Sequence, residues 1–282
     1  MNDDTLSWPG TMRIVDRTDD LSEPDPLYSF ALDELLCRQA GASGTAFCHL
    51  WRHPSAFIMG QRDSRLPHAA DAARWVESRG YRVAVRNSGG AAVPLDPGIV
   101  NLSLILPKAD GDGADAQFRR DFERMYVLIR EALAFTGCTV DKGEIRGAYC
   151  PGDYDLSIAG RKFCGIAQRR QLRAYAVQAF VVAAGRGADR TRLVRAFYER
   201  AALGADPSAY PQVTDGSTAS LEELAGLGPD AAHTFADAVK RTIGRLQSAA
   251  GTPLSACDAE LPPPAEVRAA TASLRARYPL RA

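Results

Sequence analysis

The sequence holds no CxxC pair, and none of its 4 histidines is spaced as a metal ligand with another histidine or cysteine. Its 6 cysteines, Cys37, Cys48, Cys138, Cys150, Cys164 and Cys257, are scattered along the chain. That pattern fits reduced, mostly buried thiols better than a disulfide framework or a zinc knuckle. Net charge is missing too: 34 Lys and Arg balance 34 Asp and Glu, so no bulk field recruits nucleic acid or an anionic membrane. No apolar run approaches the ~18 residues of a membrane span; the longest, Ala174 to Gly185, is interrupted by Gln178. Met1 to Asp4 is acidic and lacks the basic-then-apolar order of a secretory signal. Internal repeats and low-complexity tracts are absent as well. A soluble, cytoplasmic protein with no nucleic-acid, membrane or metal partner is the expectation.

What is present is a mixture of strand and helix patterns. Residues 1–26 are polar and proline-bearing and read as an N-terminal arm, partly ordered at best. Leu27 to Gln39 has helical spacing, with Gly41 as its stop. Phe47 to Met59 suggests two short strands, Pro67 to Arg79 a helix, and Tyr81 to Val85 a strand that delivers the chain into Arg86-Asn87-Ser88-Gly89-Gly90. Ile99 to Leu106 is a nearly continuous apolar strand. After the charged loop Pro107 to Gly113 comes a long helix, Ala116 to Phe135, with Phe118, Phe122, Met125, Ile129 and Leu133 on one face. A short strand near Cys138 to Val140, a hairpin and the buried strand Arg173 to Ala184 follow. The final third is helical: Arg190 to Gly204, a short helix opened by a capping box at Ser220 to Glu223, Pro229 to Ala249, and Pro264 to Tyr278. Strands mixed with helices, rather than alternating with them, argue for an α+β class. The organisation expected is the arm, a main domain over residues 27–250, and a linker with a last helix over residues 251–282.

The chemistry-bearing stretch is Gly147 to Arg170, GAYCPGDYDLSIAGRKFCGIAQRR. Tyr154, Leu156 and Ile158 alternate with Asp155 and Ser157, as in a half-buried strand, and Ala159-Gly160 makes a tight turn. The second strand is expected to place Lys162, Cys164, Ile166 and Gln168 on one face. A free cysteine is usually a small hydrophobe, which suits Cys37, Cys48 and Cys138. Cys150 differs because Pro151-Gly152 follows it and sets it in a turn. A neighbouring ammonium favours the thiolate, and Lys162 is the nearest obvious cation. Cys164 is the rival thiol, two residues from Lys162 but in mid-strand. A second signal is Arg86 to Gly98: a glycine pair at a strand end lets backbone amides approach a ligand, although the same residues also make an ordinary turn. No GK(S/T) follows, so the stretch is not a phosphate loop. Asp96, before Pro97-Gly98, suits a turn as well as a catalytic acid.

Together these stretches resemble the lipoate-protein ligase and octanoyltransferase family. Its strand-end motif, RRx(S/T)GGGAVxHDxGxxNxS, stands here as VRNSGGAAVPLDPGIVNLS from Val85 to Ser103. Its G(K/R)KxxGxAQxR motif is GRKFCGIAQRR from Gly160 to Arg170. The likeness spans roughly Leu27 to Ala184 and implies a biotin/lipoate protein ligase-like catalytic domain, a mixed sheet flanked by helices, with a helical C-terminal part. YCPGDYDLSI and WRHPSAFIMGQRDSRLP look most like the lipoyl amidotransferases. These are cysteine enzymes that move octanoyl groups from the glycine cleavage H protein to lipoyl domains of 2-oxo acid dehydrogenases. By that resemblance Cys150 is the acyl-carrying nucleophile and Lys162 the family's lysine. Arg86, Ser88, Gly89, Gly90, Ala91, Asp96, Gly165 and Gln168 are then the expected substrate-binding residues. No cofactor, ATP or metal is expected. The chain departs from the pattern at Ala91 for the third glycine, at Leu95 for the histidine, and at Gln178-Ala179 for a later histidine-glycine. The first two departures weigh against an ATP-dependent ligase more than against the cysteine reading. The alternatives are an octanoyl-acyl carrier protein donor, such a ligase, and a non-catalytic carrier-domain binding module.

Overall fold

A computed structural model describes residues 8–9, 11–108, 114–249 and 260–280, without the side chains of 114–118 and 249. In chain order its elements are β1 (Met12–Arg17), α1 (Tyr28–Ser43), β2 (Ala46–Trp51), β3 (Ala56–Met59), α2 (Ala69–Glu77), β4 (Arg82–Val85), β5 (Val93–Leu95) and β6 (Ile99–Pro107). Then come α3 (Ala114–Ala132), β7 (Asp141–Lys142), β8 (Leu156–Ile158), β9 (Arg161–Arg170), β10 (Ala174–Val182), α4 (Gly187–Ala201), α5 (Leu221–Ala225), α6 (Ala231–Ala249) and α7 (Pro264–Arg277). The class is α+β, as expected.

A seven-stranded mixed sheet, β1-β2-β6-β10-β9-β8-β7, is the platform, and a three-stranded sheet, β4-β3-β5, stands beside it. The central strands are buried on both faces, which is why they read as apolar runs rather than as alternation. Their side chains nevertheless sort cleanly. Cys48, Leu50, Val100, Leu102, Leu104, Val177 and Val181 join one core with α3 and α6. Phe47, Trp51, Ile99, Ile105, Ala176, Phe180 and Val182 join the other, which holds α1 and the small sheet. This second face also carries polar Asn101, Ser103 and Gln178, and the site is built there. α7 closes over α1 through Val267, Thr271 and Leu274, one turn or two apart on its inner face.

Three expectations change. The arm is not merely an arm: Met12–Arg17 pairs in parallel with Ala46–Trp51 and forms the sheet's edge, burying Met12 and Val15. α1 runs past Gly41 and ends at Gly44, whose amide caps the Ala40 carbonyl. The strand expected near Cys138 to Val140 forms at Asp141–Lys142, opposite Leu156 and Ser157. Met1 to Asp4, residues 109–113 of the charged loop, the Phe118 side chain, Cys257 and the linker from Gly251 to residue 259 lie outside the described residues. Among the described residues no helix is long and apolar enough to cross a membrane.

Candidate active site

Arg86 directly follows β4, and the loop it opens turns back on that guanidinium. Arg86 Nε donates to the Gly89 carbonyl at 3.0 Å and Nη2 to the Ala91 carbonyl at 2.7 Å, so the arginine shapes the glycine loop from inside. Gly90 is required twice over. Its φ is +93°, and a Cβ there would lie 2.9 Å from Cys150 Sγ and 2.6 Å from Arg86 Nη2. Below the loop the Ala92 amide donates to Tyr198 Oη at 3.1 Å, and Tyr198 donates to Asp63 Oδ1 at 2.9 Å. Asp63 also accepts the Gly60 amide at 2.7 Å; burial still pushes its carboxyl above the ordinary range. On the other flank Asn87 Nδ2 donates to Glu34 Oε1 at 2.6 Å, which Arg169 also reaches at 2.9 Å. Arg277, from α7, donates to the second Glu34 oxygen at 3.0 Å. Burial alone would raise the Glu34 carboxyl, but the Arg277 and Arg169 guanidiniums bring it below its ordinary value.

Cys150 sits in a left-handed conformation, φ 49°, uncommon for a residue with a side chain and stable only where its surroundings hold it. Lys162 does the holding. Its buried Nζ donates to the Cys150 carbonyl at 2.6 Å and the Tyr149 carbonyl at 3.0 Å, and pairs with Asp155 Oδ1 at 2.7 Å. Burial raises the Asp155 carboxyl, and Lys162 partly offsets that. Tyr149 is buried and stacks on Phe180, ring centroids 5.8 Å apart. The segment after Thr214 braces the strand from behind: the Lys162 amide donates to the Ser217 carbonyl and the Ala219 amide to the Lys162 carbonyl, each at 2.9 Å.

The expectation that Lys162 faces the sulfur is therefore corrected: Lys162 bonds the turn's backbone, and the sulfur points to the glycine loop. Cys150 Sγ accepts the Ala91 amide at 3.3 Å and lies 3.6 Å from Arg86 Nη2. The shared face expected for Lys162 and Cys164 is corrected as well. β8 and β9 pair Ser157 with Lys162 and Leu156 with Cys164, leaving Phe163 as an extra residue. One extra residue reverses every side chain beyond it. Lys162 and Gly165 thus share the site face, where a Cβ on Gly165 would meet the Phe180 ring at 2.5 Å and Lys162 Nζ at 3.2 Å. Cys164 turns into the opposite core, fully buried, where desolvation pushes its thiol far up.

A cavity of about 370 Å³ opens at Cys150 and runs between the two sheets. Phe30, Ile58, Val93, Leu95 and Phe180 give it apolar walls; Trp51, Asn101, Phe180 and Gly165 lie in one row across four strands of its floor. Ser103 Oγ and Gln178 Nε2 each donate to Asp33 Oδ2 at 2.6 Å, and Asp33 Oδ1 bonds His49 Nδ1 at 2.8 Å. Across the glycine loop a second, more polar cavity of about 700 Å³ carries Arg62, Arg65 and Tyr210, and shares Ser88, Gly89, Gly90 and Pro151 with the first.

Of the expected residues, Cys150, Arg86, Ser88, Gly89, Gly90, Gly165 and Gln168 line the first cavity. Ala91 lies on the second and reaches the sulfur through its amide. Lys162 stands one layer behind. Gln168 bonds Asp121 Oδ2 at 2.7 Å through its amide nitrogen. Asp96 is corrected to a structural part: Arg190 clamps it at 2.8 and 2.6 Å, it accepts the Gly98 amide, and it lines neither cavity. Asp155, Asp63, Tyr198 and Glu34 went unmarked in the sequence. Asp155 had a signal, since it alternates with Leu156 opposite a buried lysine; Asp63 and Tyr198, 135 positions apart, had none.

The chain as a whole has known relatives. The lipoyl protein ligase A/B catalytic domain matches residues 25–243, and the chain belongs to that family. It is 43% identical over 216 residues to an octanoyl-[GcvH]:protein N-octanoyltransferase of Geobacillus kaustophilus, covering 76% of this chain and 75% of the relative. It is 37% identical over 224 residues to a lipoyl-[GcvH]:protein N-lipoyltransferase of Listeria monocytogenes, covering 79% and 80%. In fold alone it is similar to a putative lipoate protein ligase from T. acidophilum with bound lipoic acid: TM-score 0.62, 16% identity, 96% of each chain.

Proposed function

We propose that the protein is an octanoyl amidotransferase: it takes an octanoyl group from a lysine of the glycine cleavage H protein and passes it, through a thioester on Cys150, to a lysine of a lipoyl domain. The observation that carries this reading is the Cys150 sulfur at the mouth of an apolar cavity, beside a glycine loop whose Arg86 guanidinium and Ala91 amide reach it. The names of the relatives in Geobacillus and Listeria support the same donor.

In the first half-reaction the thiolate attacks the octanoyl-lysine carbonyl carbon. The C–S bond forms, the C–N bond breaks, and the departing ε-amine takes up one proton. The Ala91 amide stands next to the sulfur, where it can receive the charge that develops on the carbonyl oxygen. The eight-carbon chain lies in the cavity between the sheets, away from water. In the second half-reaction a neutral acceptor amine attacks the thioester, a C–N bond forms, the C–S bond breaks, and the amine loses one proton. Protons balance over the cycle. One lysine amide replaces another, so the exchange runs without ATP. The second cavity, which shares the Ser88 to Gly90 loop as a wall with the first, offers the carrier lysines an approach from the opposite side.

Octanoylated H protein, incubated with the full chain without ATP, is expected to leave one octanoyl group on Cys150 by peptide mass spectrometry. Octanoyl-acyl carrier protein in its place is expected to give no adduct. An adduct on Cys164 alone, or an absolute need for ATP, would overturn the reading.

A further inference from the structure

Two cations lie by the Cys150 turn, and their hydrogen-bond inventories differ. An ammonium has three N–H donors. Those of Lys162 meet three acceptors within 3.0 Å, two of them backbone carbonyls and the third Asp155. Its charge is balanced on the spot, because Lys162 and Asp155 pair with side chains only 1% exposed each. Arg86 is buried as well, yet its oxygen partners, the carbonyls of Gly89, Ile58 and Ala91, are all neutral. Asp63 feels the Arg86 charge, but its oxygens are held by Gly60 and Tyr198, and no carboxylate pairs with Arg86 among the described residues. A buried charge without a counter-ion is unfavourable. The group that can supply the missing negative charge is the sulfur, 3.6 Å from Nη2 and also bonded by the Ala91 amide.

We propose that Arg86 is the residue that holds the Cys150 sulfur as a thiolate, and that Lys162 is a positioning residue that locks the left-handed turn carrying it. The assignment deepens the proposed function and rests on Cys150 as the acyl carrier. The titratable and charged groups that face the sulfur's surroundings are Arg86 after β4, Lys162 on β9 with its partner Asp155, Tyr149 in the turn, Asp153 on the cavity wall, and Asp63 with Tyr198 beneath the loop. The only one of these whose cationic nitrogen bonds the sulfur is Arg86.

Alkylation of Cys150 by iodoacetamide, followed by peptide mapping on the full chain, reads this directly. The observable is the ratio of the rate at about pH 6.5 to the rate at about pH 9, which reports thiolate rather than access. In Arg86→Gln this ratio is expected to fall about tenfold or more, with Arg86→Lys between that variant and the native chain. Lys162→Met is expected to change both rates together and leave the ratio within about threefold. A variant-free comparison guards against misfolding: the ratio for the folded native chain is expected to exceed that of the urea-denatured chain about tenfold or more. Equal ratios for folded and denatured chains, or a ratio lost in Lys162→Met and kept in Arg86→Gln, would overturn the assignment. Acyl transfer does not enter this readout. A chain that never becomes octanoylated but gives the expected ratios would defeat the proposed function and support the role of Arg86.

Discussion

Cys150 and Cys164 lie in one hairpin region, both near Lys162, yet the fold treats them oppositely. Cys164 follows the Phe163 bulge and is fully enclosed by the α3 and α6 core, where burial keeps its thiol protonated. Cys150 is carried out of regular structure on a left-handed turn, lies on a cavity wall, and meets a guanidinium and a backbone amide. The difference is not proximity to a lysine. It is whether the backbone exposes the sulfur to donors and solvent or to hydrocarbon, and a single inserted residue decides that for Cys164.

The contrast can be broken most sharply at the sulfur itself. Cys150→Ser is expected to lower octanoyl transfer about a thousandfold or more and to abolish the acyl adduct. Cys164→Ser should keep both within about threefold while losing about 1–3 kcal/mol of stability, since a hydroxyl then lies in an apolar core. Transfer kinetics and urea melts together check the pair; equal transfer losses would erase the distinction.

Next comes the clamp. Lys162→Met leaves the buried Asp155 carboxylate and two carbonyls without their partner, and about 3–5 kcal/mol of stability should go with it. Adding Asp155→Leu should recover part of that stability but little transfer, because the turn is still unlocked. A double variant with full transfer would show that the turn needs no lysine.

A smaller effect tests the loop. Gly90→Ala forces a positive-φ alanine against the sulfur and Arg86, strain of about 1–3 kcal/mol, and transfer should fall about 5- to 150-fold as the loop shifts to relieve it. Steady-state kinetics at saturating donor would show the loss in kcat.

The smallest effect lies at α7. Glu34 has its carboxyl lowered by Arg277 and Arg169, so its stabilisation is present above the ordinary glutamate range and is lost as pH falls through the lower folded-state value. Arg277 is half exposed, so Arg277→Ala should cost only about 0.2–1 kcal/mol near neutrality. Thermal melts of the two chains should converge only once pH falls below the lowered folded-state value of the native chain, where Glu34 is protonated in both. A gap that persists in acid would mean that α7 is held by its apolar face alone.

Much of this molecule was legible in its residues. The strand runs, the long helix with Met125, Ile129 and Leu133 inward, and the capping box at Ser220 and Glu223 all follow from local pattern and form as expected. So do the tight turn at Ala159-Gly160, whose two residues both have positive φ, and the turn that sets Cys150 outside regular structure on the cavity wall. Other features left no local mark. Met12–Arg17 looked like a polar arm because an edge strand buries only part of its side chains. The Phe163 bulge is invisible to a period-two reading, so the faces of Lys162 and Cys164 were mistaken. Asp96 has the same sequence context whether it meets a substrate or Arg190.

Residue order by itself determined most of the secondary elements, the two motifs and the turn that sets Cys150 apart from the other thiols, because hydrophobic period and turn composition act over a few neighbouring positions. Only tertiary structure decided which cation faces the sulfur. Arg86 and Cys150, 64 positions apart, meet because the loop after β4 and the turn before β8 converge at the cavity, while Lys162 is turned to the backbone by a bulge and a buried aspartate. Electrostatics at a few ångströms depends on direction as well as distance, and direction is set by packing.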